Sequence, residues 1–158
     1  GEKSDSTVRP TVDMHRKMAL LVEDNELNME IAEFLLEGEG MIVVKASNGK
    51  EAVEKFAASE VGGFDIIFMD VMMPVMNGLD AARKIRSMTR ADAQTIPVIA
   101  MTANAFQDDV QRSFEVGMNA HITKPLDINK IREAITDVMT KNLSSQAKID
   151  ATGFANWK

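Results

Sequence analysis

Apolar residues along this chain keep two rhythms, and the two alternate. Met18-Ala19-Leu20-Leu21-Val22 is a continuous apolar run of strand length. It gives way to Leu27, Ile31, Phe34 and Leu35 at helical spacing, with Gly38 and Gly40 as the stop. Ile42-Val43-Val44 is a short β-branched run. Ala52, Val53 and Phe56 then mark one face of a helix between Gly49 and Ser59. Ile66-Ile67-Phe68-Met69 reads as the third strand, and after a loop from Pro74 to Gly78, Leu79, Ala82 and Ile85 mark a third helix. Val98-Ile99-Ala100-Met101 is the fourth strand, with Pro97 at its start, where a missing N–H is tolerated. Phe106, Val110 and Phe114 predict a fourth helix ending at Gly117. Ala120 to Thr123 is a short fifth strand, and Ile128, Ile131, Ile135 and Val138 give the last helix.

Five strand–helix units without a hairpin signal predict an α/β fold, a doubly wound parallel sheet with helices on both faces. The first, third and fourth strands are apolar at nearly every position, as strands buried on both faces should be. The second and fifth are shorter and more polar, which suits edges. Residues 1–17 carry Ser, Thr, Asp and Pro without periodicity and are expected to form a flexible leader. A single domain is expected over 18–142. From Leu143 to Lys158 the helical pattern fades and Ser144, Ser145, Gly153 and Asn156 appear, as in a tail or the start of a linker; Trp157 lies there.

Composition narrows the chemistry. With 158 residues, 45% hydrophobic and 27% charged, the chain can bury a core without staples. It has no cysteine, which excludes disulfides, thiolate metal sites and cysteine nucleophiles. The net charge of -6 leaves no electrostatic footprint for nucleic acid. No apolar run approaches membrane-spanning length, and the polar start lacks the apolar stretch of a signal peptide. The expected setting is the cytoplasm.

In an open parallel sheet, ligands bind outside the carboxyl ends of the strands. The first strand is followed by Glu23-Asp24, the third by Asp70, the fourth by Thr102-Ala103-Asn104 and the fifth by Lys124-Pro125. The second offers nothing comparable, only Ala46-Ser47-Asn48 before Gly49. Asp70 closes an apolar strand before a Pro/Gly loop, so it is expected to be exposed at the rim, as a turn former, a metal ligand or a nucleophile. Three carboxylates on one rim repel: a pair ~4 Å apart costs about 4 kcal/mol at an effective dielectric of ~20. Either some protonate or a cation sits among them. All-oxygen donors without cysteine favour a hard cation, and Mg²⁺ suits one or two carboxylates, waters and a phosphoryl oxygen. Lys124 and Thr102 then supply an ammonium and a hydroxyl for the remaining phosphoryl oxygens.

The motifs Val22-Glu23-Asp24-Asn25, Met69-Asp70-Val71-Met72-Met73-Pro74 with Asn77-Gly78, Met101-Thr102-Ala103-Asn104 and Thr123-Lys124-Pro125 stand in that order, each at a strand end. Over about Met18 to Thr140 the chain resembles a response-regulator receiver domain, the phosphoacceptor module of two-component signalling. The resemblance implies a flavodoxin-like (βα)5 fold with strand order 2-1-3-4-5. It implies that Asp70 is the phosphorylated aspartate. It makes Asp24 a direct Mg²⁺ ligand, Glu23 a ligand mostly through water, and Met72 a ligand through its backbone carbonyl. Thr102 resembles the hydroxyl that moves onto the phosphoryl group, and Lys124 the lysine that pairs with carboxylate or phosphoryl oxygen. The switch position three residues before the lysine, often Tyr or Phe in the family, is His121, a flat ring that adds pH sensitivity near neutrality.

The implied donor is a phosphohistidine on a histidine kinase or a histidine phosphotransfer protein. The implied output is a change in the face built from the fourth helix, fifth strand and fifth helix, through Thr102 and His121, and the resemblance allows a homodimer through that face. The stretch from Met101 to Phe106 with Gly117-Met118-Asn119-Ala120 resembles receivers of hybrid kinases more than those of transcription factors.

Taken singly, these residues have plainer readings. Asp24 and Asn25 are good helix N-caps, Asp70 alone is a turn residue, Thr102 caps the next helix, and Lys124-Pro125 is a surface turn with an X–Pro bond open to cis. Met72, Met73 and Met76 read as loop packing, and Arg83, Lys84 and Arg86 as a solvated helix face. The competing function is a Mg²⁺-dependent phosphohydrolase with an Asp nucleophile. Phosphatases of that kind place a second Asp two residues after the first, where this chain has Met72. An FMN-binding flavodoxin is disfavoured by the acidic rim. The chain is therefore expected to be a phosphoacceptor that assists its own phosphorylation and dephosphorylation, not a turnover enzyme.

Overall fold

The computed structural model describes residues 12–103 and 107–152, with side chains over 12–103 and 110–140. Each expected apolar run forms a strand: β1 (Met18–Val22), β2 (Ile42–Ala46), β3 (Ile66–Asp70), β4 (Val98–Thr102) and β5 (Ala120–Thr123). The helices between and after them are α1 (Glu26–Gly38), α2 (Gly49–Ala58), α3 (Gly78–Arg86), α4 (Gln107–Glu115) and α5 (Ile128–Thr152). The sheet is parallel throughout, in the order β2-β1-β3-β4-β5. This is the flavodoxin-like arrangement, with the two more polar strands at the edges.

Alternation along the strands feeds two cores. Ala19, Leu21, Ile66, Phe68, Ile99, Met101 and Ile122 point to one face, where α1 and α5 cover them with Ala32, Leu36, Ile131, Ile135 and Val138. Leu20, Val22, Ile67, Met69, Val98 and Ala100 point to the other, under Ala52 and Phe56 of α2 and Ala81, Ala82 and Ile85 of α3. Burial on both faces is why the middle strands read as unbroken apolar runs. No helix among the described residues is long and apolar enough to cross a membrane.

Several expectations need correction. Helix α1 forms where its periodicity placed it, but of the four residues that mark it only Leu35 turns toward the sheet: Leu27, Ile31 and Phe34 are 65%, 42% and 76% exposed. The face on the sheet is Ala32 and Leu36, with Met29 and Leu35 half-buried beside them. The helix has two apolar faces, and a 3.6-residue period fits either.

Residues 12–17 of the expected leader belong to the body. Met14 is 3% exposed and lies in the same core as Leu36, Met41 and Val138. A turn follows it: the Lys17 N–H donates to the Met14 carbonyl, Arg16 stands at φ 67°, and its N–H donates to the Gly40 carbonyl. One methionine among polar neighbours carries no periodic signal, so the contact was invisible in the pattern. At the other end α5 runs through Leu143 to Thr152, past the expected domain end at 142. The apolar stripe fades there, but no Gly or Pro intervenes before Gly153 to end the helix. Trp157 and Phe106 lie outside the described residues.

Arg86 is not part of a solvated face. Its guanidinium donates to the carbonyls of Gly117 and Ala93 and to Asn119 Oδ1, tying α3 to the turn before β5, and burial lowers its pKa. Replacing Met14 with Ala should lower the unfolding free energy by about 2–5 kcal/mol, the usual cost of emptying a buried methionine site. Urea unfolding checks this; an unchanged midpoint would mean that residues 12–17 only trail in solvent.

Candidate functional site

Parallel strands end on the same side, so the rim collects one contribution from each crossover. Glu23 follows β1 directly and is 2% exposed. Asp70 is the last residue of β3 and is 4% exposed, not open to solvent as expected. It pairs with Met101 of β4, so it is still part of the sheet where the rim begins. Asp24 is exposed beside them. Carboxylate oxygens of Glu23, Asp24 and Asp70 lie within 4.8 Å of one another.

One ammonium serves two of these acids. Lys124 Nζ lies 2.8 Å from Glu23 Oε1 and 3.2 Å from Asp70 Oδ2. The other oxygens are held by backbone: the Asn25 N–H donates to Glu23 Oε2 at 3.1 Å, and the Met72 N–H to Asp70 Oδ1 at 3.2 Å. Sequence reasoning missed both donors, since a backbone N–H has no letter of its own. Asn25 does act as the cap expected of it, its side chain accepting from the Asn28 N–H at the start of α1.

Burial raises the Asp70 carboxyl to about 7, helped by the nearby Glu23 charge and opposed by Lys124. Burial alone would lower the Lys124 pKa, but its hydrogen bond to Glu23 and the charges of Asp70 and Glu23 outweigh that and raise it. One cation does not balance three acids, and the strain falls on Asp70. A divalent cation among these oxygens would remove it.

Thr102 ends β4 one residue beyond Asp70's partner, is 8% exposed, and its carbonyl accepts from the Lys124 N–H. The Lys124–Pro125 bond is cis. His121 is half-buried on β5, its ring edge-on to Phe114 with centroids 6.4 Å apart. Both line a groove of about 610 Å³ with Lys130, Glu133 and Asp137 of α5. Asn104 lies outside the described residues. The structure thus brings Glu23, Asp24, Asp70 and Lys124 together, with Thr102 on the adjoining strand end, and puts His121 on the outer edge strand. Met72, expected to pack, is 74% exposed.

Gly78 is a further residue that the motif hid. A Cβ there would run into the Asp70 carbonyl oxygen and stand 3.0 Å from Met69 Cγ. Only glycine lets α3 begin this close to the strand end that carries the acid.

Known proteins resemble this chain in sequence and fold. A curated relative, probable histidine kinase 2 of Oryza sativa subsp. indica, is 37% identical over 141 residues, covering 82% of this chain and 13% of its own length. The chain therefore spans a small part of that relative. The receiver domain of a sensor histidine kinase from Pseudomonas aeruginosa PAO1, solved with a magnesium ion in its active-site cleft, is 32% identical. It superposes with a TM-score of 0.69, covering 78% of this chain and 98% of that one. The receiver domain of the Saccharomyces cerevisiae response regulator Ssk1, solved with the histidine phosphotransfer protein Ypd1, is 30% identical. Its TM-score is 0.67, with 78% and 88% covered. The family model for the response regulator receiver domain matches residues 19–136. The chain belongs to the response regulator receiver domain family, a module of two-component signalling.

Proposed function

We propose that Asp70 accepts a phosphoryl group from a phosphohistidine, with Mg²⁺ held by Asp24, Asp70, the Met72 carbonyl and, through water, Glu23. The observation that carries this reading is the buried acid pair bridged by Lys124, with a third carboxylate within 4.8 Å. The all-oxygen donor set fits a hard divalent ion. Bound there, Mg²⁺ would neutralise charge on the phosphoryl oxygens and favour the ionised, nucleophilic form of Asp70.

An ionised Asp70 oxygen attacks phosphorus, the P–N bond to the donor imidazole breaks, and its electron pair stays on the nitrogen. The product is an aspartyl phosphate, a mixed anhydride. Lys124 pairs with an oxygen of the transferred group, and the Thr102 hydroxyl bonds another. The movement of Thr102 and His121 then changes the groove between α4 and α5, where an effector or a second copy binds in proportion to its preference for one state. We place the domain in the cytoplasm, as one receiver of a longer hybrid kinase. The phosphohydrolase reading finds no support at Met72, whose thioether has no proton to give a leaving group.

The donor must cover the rim, and the exposed stripe of α1 leads there. Leu27, Ile31 and Phe34 run along the helix, and Ile31 shares a notch with Asn28, Lys124, Pro125 and Leu126. We assign this stripe to the phosphohistidine protein, because apolar surface next to the acceptor excludes water from the transfer.

Asp70→Asn should keep the fold and abolish the single acid-stable, base-labile phosphate acquired from an acyl phosphate with Mg²⁺. Labelling that survives the substitution would move the acceptor elsewhere. The raised Asp70 pKa also sets a pH dependence. Between the ordinary carboxylate value of 3.8 and about 7 the folded protein keeps a proton that the unfolded chain has lost. Stability without metal should therefore fall as pH rises through that window. Urea midpoints in EDTA should show the fall in the wild type, less of it in Asp70→Asn, and recovery on adding Mg²⁺. Leu27→Ala combined with Phe34→Ala should slow transfer from a phosphohistidine protein roughly tenfold or more, as loss of interface anchors does. Labelling by a small acyl phosphate should stay unchanged; equal loss from both donors would take the stripe out of docking.

A further inference from the structure

β2 is the one strand whose end brings no reactive side chain to the rim, yet the start of α2 touches the phosphoacceptor loop. The Gly49 N–H donates to the Met76 carbonyl at 2.9 Å. A Cβ on Gly49 would run into that oxygen and stand 2.9 Å from the Asn77 carbonyl oxygen. The same loop is pinned at its other end, where the Gly78 N–H donates to the Val71 carbonyl at 2.9 Å. Between the pins the chain makes a tight turn: the Met76 N–H reaches back to the Pro74 carbonyl at 2.7 Å, and Val75 stands at φ 69°. A β-branched residue rarely holds that conformation unless its surroundings impose it. The loop also carries the Met72 N–H that donates to Asp70 Oδ1.

We propose that Gly49 is a positioning residue for phosphoryl acceptance. Its N–H and its missing side chain hold the 71–78 loop closed, and so set where the Met72 amide and carbonyl stand against Asp70. The inference rests on the phosphoacceptor reading of Asp70. It gives the second strand end a part in the site through backbone alone, and it makes the site depend on the distance between the starts of α2 and α3.

Gly49 is not in the left-handed region, and alanine is the better helix former, so Gly49→Ala should leave α2 intact. Its effect should fall on the loop. Expected are a roughly tenfold weaker Mg²⁺ affinity and a roughly tenfold slower labelling by acetyl phosphate at saturating Mg²⁺, the scale seen when the support of a metal site is disturbed. Ala52→Gly, one turn on in the buried face of α2, is the control: it lowers stability but should change neither quantity. In the wild type, the Gly49 amide resonance should move with Mg²⁺ at the same midpoint as that of Met72. Wild-type affinity and rate in Gly49→Ala, matching losses in Ala52→Gly, or a Gly49 amide indifferent to Mg²⁺ would each overturn the proposal. If the wild type takes up Mg²⁺ but no phosphate, the phosphoacceptor reading fails while the Mg²⁺ measurements still judge Gly49.

Discussion

The ammonium of Lys124 is the contact on which the rim depends. It joins the end of β5 to acids following β1 and ending β3, across the width of the sheet. Without it two buried carboxylates would face each other at short range, and one would have to stay protonated or swing into solvent. Even with it, burial and then the Glu23 charge outweigh the ammonium, which is why Asp70 sits near 7 and not in the ordinary carboxylate range. The fold holds an acid in an unfavourable state, and in the proposed function a cation and a phosphoryl group would relieve it. In that reading part of the ligand's binding energy comes from a tension already present in the protein.

Backbone does as much as side chains in maintaining this state. The amides of Asn25 and Met72 hold the acid oxygens that Lys124 does not. Two glycines let helix starts come close enough for α3 to rest on the Asp70 carbonyl and α2 on the loop beyond it. Val75, in a conformation costly for its side chain, shows that the loop is shaped from outside.

What the sequence revealed and what it hid divide along the same line. The strands were readable because burial on both faces leaves unbroken apolar runs, and the rim acids because each stands directly after such a run. Periodicity found α1 but chose its outer face, since Leu27, Ile31 and Phe34 repeat as regularly as the residues beneath. Arg86 reads like any charge on a helix; its partners are carbonyls 7 and 31 residues further on, at 93 and 117. Met14 was one apolar letter among polar ones. Asp70 reads as exposed because it closes a strand before a Pro/Gly loop, whereas its burial comes from neighbours distant in sequence, Glu23 and Lys124 among them. Side-chain chemistry and period can be read from letters, whereas backbone donors and long-range packing need coordinates.

The segment before β1 enters the sheet at the end away from the rim, and α5 starts beside the rim and runs back from it, with Met14 and Val138 in one core. The first and last of the described residues therefore both stand behind the rim. For a receiver tethered to its donor, how often the rim meets that donor is a property of the tether. Effective concentration peaks when the connector just spans the distance and then falls roughly as the −3/2 power of its length. Two receivers with identical rims can thus differ in signalling rate solely through the connectors that hold them.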